Sequence, residues 1–76
     1  MDMVLLKWHD AHSEFDSWML VEEIDPEPRL IESVGWLLPD AKADHVVIAQ
    51  SHDGQVRVDS VLAVPVAMVV SLQVLS

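Results

Sequence analysis

Seventy-six residues with thirteen acids, four lysines and arginines and a net charge of −9 make one acidic domain, because so short a chain buries only about 60% of its unfolded surface and has no material for a second core. The charge repels phosphate backbones and anionic headgroups, which counts against nucleic-acid and membrane partners, and the lack of cysteine excludes a disulfide framework or a thiolate metal site. A hydrophobic fraction of 51% is more than a domain of this size can hide alone, so self-association is the first expectation.

The N-terminal Met1-Asp2-Met3-Val4 lacks the basic region and apolar segment of a signal peptide, and the longest apolar run, 61–70, is interrupted by Pro65. These features, with the lack of cysteine, predict a cytoplasmic protein with no membrane span. Met3–Trp8 is a short apolar run that predicts a first strand, and His9-Asp10-Ala11-His12-Ser13 is expected to break it. From Asp10 to Pro28 the chain carries seven acids and no lysine or arginine, with Phe15, Trp18, Leu20, Val21 and Ile24 spread among them. That composition predicts a long acidic excursion packed down by its aromatics. Ser13 followed by Asp16 suits the start of a helical turn, and Asp25-Pro26-Glu27-Pro28 ends any helix and returns the chain to extended geometry.

Arg29–Leu38 is the organising stretch. Leu30, Val34, Trp36 and Leu38 fall on one side of a period of two, with Ile31, Ser33, Gly35 and Leu37 on the other, which predicts a strand buried mostly on one face with Trp36 in the core. Gly35 permits close approach of another backbone. Pro39-Asp40 ends the strand, and the β-branched segment His45–Gln50 predicts the next one, paired with it as a hairpin. Ser51-His52-Asp53-Gly54 is turn chemistry. A further strand is expected from Val56 to about Val64, then one tight helical turn at Val66-Ala67-Met68, then a last strand over Val69–Leu75. Five short strands with a long first connection and a one-turn link before the last predict a mainly β fold, a small five-stranded barrel of the SH3 or Sm type with an acidic excursion after strand 1. An open five-stranded meander is the alternative.

The last strand is apolar on both faces where a solvent-facing strand would alternate. Such a strand needs a second cover, and another copy of the chain supplies it most economically. A symmetric homo-oligomer is therefore expected.

Chemistry-bearing constellations are sparse. His9-Asp10-x-His12 with His45 or His52 offers nitrogen and oxygen donors, but the spacing matches no metal-ligand signature, so no metal or other cofactor is assigned. Glu22-Glu23 and Asp25-x-Glu27 lie beside prolines and fit a solvated face better than an acid–base pair. Five serines lack any glycine-rich elbow, and two glycines cannot form a phosphate loop. A non-enzymatic protein is the expectation. The candidate binding residues are Trp8, His12, Trp18, Glu22, Glu23, Gln50 and His52. Tryptophan serves at binding hot spots as well as in cores, and a pocket is expected where the His9–His12 loop meets the Gln50–Asp53 turn.

The residues Trp8-x-Asp10-Ala11, Ser33-Val34-Gly35-Trp36-Leu37, Val46-Val47-Ile48-Ala49-Gln50-Ser51 and Pro65-x-x-x-Val69 leading into Ser71-Leu72 resemble a group of small uncharacterised proteins of bacteriophages and prophages. The resemblance covers most of the chain outside the acidic excursion and implies a viral or prophage origin but no reaction. In outline the chain is also similar to Sm-like barrels, without the basic residues of their RNA-binding members. The expected function is a homo-oligomeric binding module that contacts a host or phage protein through its acidic loop. The alternative is an oligomer that sequesters a small, nucleotide-like ligand in pockets lined by Trp8, His12, Gln50 and His52 between subunits.

Overall fold

The computed structural model describes residues 1–10, 18, 20–23, 29–54 and 56–76. Five strands, β1 (Met3–Asp10), β2 (Arg29–Leu37), β3 (His45–His52), β4 (Val58–Pro65) and β5 (Val69–Val74), form one antiparallel sheet in the order β4-β3-β2-β1-β5. Two single 3₁₀ turns, Val21–Glu23 and Val66–Met68, accompany them, and no described helix is long and apolar enough to cross a membrane. The expected turn at Ser13, and the proline-rich return over 25–28, lie outside the described residues.

All five expected strands are present with shifted ends. β1 continues through His9 and Asp10 instead of breaking there, because both residues pair with β2, His9 with Leu30 and Asp10 with Arg29. β3 likewise runs on through Ser51 and His52, which pair with Asp59 and Val58, so the turn is confined to residues 53–57. Asp53 closes that turn with its own peptide: its N–H donates to the Arg57 carbonyl at 3.1 Å, and its Oδ1 accepts from the Arg57 N–H at 3.2 Å. Gly54 takes the positive φ of 84° that the turn requires.

β1 is one of the three inner strands, laddered to β2 from Met3↔Trp36 to Asp10↔Arg29 and to β5 from Val4↔Val74 to Trp8↔Val69, with an irregularity between Lys7 and Trp8. β2 pairs with β3 only at Trp36↔Ala49 and Leu37↔Ile48, and the Leu38 N–H adds a bond of 2.9 Å to the Val47 carbonyl. The sheet therefore turns a corner at the end of β2. Gly35 makes the corner possible, since a Cβ there would stand 2.9 Å from the Ala49 carbonyl oxygen and 3.2 Å from the Ile48 Cβ.

The core follows from this bend. Val4 and Leu6 of β1 cluster with Ile48 of β3 and Val64 of β4, rimmed by Trp8, Leu37, Val46, Leu62, Met68 and Val69. In a flat sheet β1 and β4, three strand spacings apart, would be separated by about 14 Å. Their contact shows that the sheet curls over on itself. No ladder joins β4 to β5, so these strands are the two ends of the sheet. The link between them is anchored elsewhere, by the Val66 N–H on the Asp44 carbonyl at 2.9 Å.

On β2 the covered face is the one bearing Ile31, Ser33, Gly35 and Leu37, while Leu30 and Val34 are exposed. The more apolar face by sequence is thus the outer one. The reason is register: Gly35 and Ser33 oppose Val4 and Leu6, the two largest buried residues of β1, and a small residue beneath each large one lets the curled sheet close on its core. Trp36, expected in the core, is half-buried and stands outside that cluster.

Candidate functional site

The candidate residues are divided between three places. Trp8 belongs to the rim of the core, where its indole Nε1 donates to Ser33 Oγ across the β1–β2 ladder at 3.0 Å. An indole held in this way ties two strands together and presents only part of its surface. His12 lies outside the described residues.

The second place is the acidic excursion. Trp18 is fully solvent-exposed, and Leu20, Val21 and Glu22 beside it are exposed as well. Glu22 and Glu23 sit on the 3₁₀ turn Val21–Glu23, which has no basic residue in it. Trp18 departs from the expectation that the excursion is packed down by its aromatics, since it makes no part of the core among the described residues, while Phe15 and Ile24 lie outside them.

The third place is the tip of the β3–β4 hairpin. His52 meets the Trp36 ring edge-to-face, with centroids 4.7 Å apart and planes at 88°. Its Nδ1 accepts the Gly54 N–H at 2.9 Å, which leaves the proton of the neutral ring on Nε2. A shallow cavity of about 340 Å³ opens here, lined by Ser51, His52, Asp53, Arg57, Val58 and Asp59. The pocket expected between the His9–His12 loop and this turn, with Trp8 as its indole, differs from what stands here: the indole touching His52 is Trp36, Trp8 is held by Ser33 at the core rim, and no described residue of β1 lines the cavity. Gln50 is exposed two residues earlier on β3. Arg57 escaped the sequence reading, although its position three residues after Gly54 fixes it on the return of the turn. A second open cavity, of about 470 Å³, lies at the β2–β3 connection between Asp40, Lys42, Ala43, Asp44, His45 and Val66. There His45 Nδ1 donates to the Ala43 carbonyl at 2.7 Å.

Among the described residues no three histidines or carboxylates stand close enough to hold a metal ion. Ser60 Oγ donates to the adjacent Asp59 carboxylate at 3.4 Å. What the arrangement offers chemically is recognition: an exposed indole in an acidic setting, and a hairpin tip carrying one imidazole and one guanidinium. No protein family matches the chain, and no curated protein or solved structure is similar to it.

Proposed function

We propose that the protein is a non-enzymatic interaction module of phage type, working as a homo-oligomer and contacting a host or phage protein through the acidic segment between Asp10 and Pro28. The observation that carries this reading is Trp18. A fully exposed indole in water forgoes the burial that tryptophan gains in a core or an interface, and tryptophan is among the residues most enriched at binding hot spots. Leu20 and Val21 extend the apolar surface, and the exposed Glu22 borders it with negative charge. The complementary partner is a basic protein surface with an apolar notch. Such a pair is steered together electrostatically and weakened by salt. The strand order, the one-turn link and the curl of the sheet support reading the scaffold as an SH3- or Sm-like barrel left open between β4 and β5.

The test is capture from a bacterial host lysate on immobilised protein. A specific partner retained by the wild type should be lost with Trp18→Ala, and its retention should fall with combined charge reversal at Glu22, Glu23, Asp25 and Glu27. Undiminished capture by both variants would end this reading.

The hairpin-tip cavity favours a second reading, sequestration of a small ligand, because His52 and Arg57 both line it. A thermal-shift panel of nucleotides and metabolites tests it, since a ligand bound only by the folded state must raise apparent stability.

A further inference from the structure

Among the described residues the sheet has two free ends, and they differ in how they are built. β4 carries the devices that keep an edge from pairing: Asp59 near its start, Ser60 with a φ of 55° that interrupts the extended backbone, and Pro65 at its end. β5 carries none of them. Between Val69 and Val74 there is no charge, no proline and no positive φ.

The distribution of charge points the same way. All thirteen acids lie at or before Asp59, and residues 60–76 carry no charged side chain. Two copies with a net charge of −9 repel each other over most of their surface, and the uncharged end of the chain is where they can approach at least cost.

The register of β5 shows what the free edge presents. Leu72 pairs with Leu6 and Val74 with Val4, so both side chains stand on the core-facing side of the sheet. Leu6 and Val4 are completely buried, yet Leu72 and Val74 remain 42% and 57% exposed. The apolar layer thus runs out from the core onto an open strand. The Leu75 N–H donates to the Met3 carbonyl at 2.7 Å. By the alternation of an antiparallel ladder, Leu72 and Val74 then turn their peptide groups away from β1, toward the free edge.

From these observations we infer that the occupant of this edge is a second copy of the chain, paired β5 to β5 in antiparallel fashion across a two-fold axis near Ser71 and Leu72. The pairing makes one continuous ten-stranded sheet with the Leu72 side chains of the two copies meeting near the axis, and Val74 of each copy lying further out along the joint on the same inner face. It satisfies the outward peptide groups, and it completes an apolar layer that no cysteine bridge reinforces. The inference specifies the geometry of the homo-oligomer proposed above and does not depend on what the acidic segment binds.

The chain has no cysteine, so a single introduced cysteine can form a disulfide only between copies. A residue lying on or beside the axis faces its own counterpart at a Cα separation of about 4.5–5.5 Å, within the span of a disulfide. Ser71→Cys or Leu72→Cys should therefore cross-link to a covalent dimer under mild oxidation, whereas Val61→Cys on β4 should not. Leu72→Lys and Val74→Lys should each lower the solution mass to that of a monomer while retaining the β-sheet circular dichroism. If Leu72→Lys fails to fold, the cysteine pair and Val74→Lys still decide the matter. A monomeric wild type at tens of micromolar would overturn the inference. So would an oligomer that survives both lysine variants, or one that cross-links through Val61→Cys. Loss of partner capture in Trp18→Ala with the dimer intact, or the reverse, separates the two proposals.

Discussion

β1 and β5 lie side by side in one ladder, both rich in valine and leucine, and their paired residues meet opposite fates. Val4 and Leu6 are fully buried, whereas Val74 and Leu72, directly opposite them on the same face, keep about half of their surface in water. Composition cannot account for this difference. β1 has strands on both edges and Ile48 and Val64 across from it, while β5 has a neighbour on one edge only among the described residues. In so small a fold, burial is decided by what lies across the curl of the sheet.

The widest gap between the two strands should appear on truncation. Leu6→Ala should cost about 2–5 kcal/mol, the range for a large side chain deleted from a packed core. Leu72→Ala should cost about 1 kcal/mol and make the unfolding midpoint less dependent on protein concentration, as expected where association contributes to stability. Denaturant titrations at two protein concentrations check both.

Next in size is the corner that lets β3 and β4 cover β1. Gly35→Val puts a branched side chain against the Ala49 carbonyl, a backbone atom that cannot step aside, and should cost about 1–3 kcal/mol. It should also loosen Trp36 from His52, which the near-ultraviolet circular dichroism of the indole reads.

A smaller effect is expected where β1 is tied to β2. Ser33→Ala leaves the half-buried Trp8 N–H without its 3.0 Å partner, and Trp8→Phe removes the donor instead. Each should lower stability by about 1 kcal/mol, with Trp8→Phe also losing some packed area. The smallest change sharpens the contrast between the two edges. Ser60→Gly removes the strain of a φ of 55° and should leave stability unchanged or raise it by up to about 1 kcal/mol, although glycine normally weakens a strand. By relaxing the irregularity that guards β4, it should also increase association at high protein concentration.

Most of the strands were legible in the residues because their signals are local: β-branched runs at 45–50 and 69–75, Asp53-Gly54 at the hairpin, and three residues of connection at Val66–Met68. The buried face of β2 was not legible. Its outer face bears Leu30, Val34 and Trp36 and its inner face Ser33 and Gly35, the reverse of what hydropathy alone suggests. The small residues lie inside because Val4 and Leu6 occupy the space above them, and that pairing is a fact of tertiary register. The ends of β1 and β3 were hidden for a related reason. His9, Asp10, Ser51 and His52 look like loop residues, and they are extended because a neighbouring strand satisfies their backbones.

The candidate site was legible only in part. His52 could be read as a binding residue near the hairpin turn, but its indole was expected to be Trp8, and its contact with Trp36 depends on the bend of β2 over β3. Trp18 could be read as a pin or as an anchor, and its full exposure counts against the pin.

A second copy of the chain covering β5 is what links the exposed Leu72 and Val74 to the uncharged end of the sequence. The solution mass by light scattering coupled to size exclusion, at low and high salt, tests it most directly. A dimer that high salt leaves intact or tightens is expected, because the interface is uncharged and the rest of each copy is acidic. A monomer under both conditions, or an assembly that high salt dissolves, would contradict it.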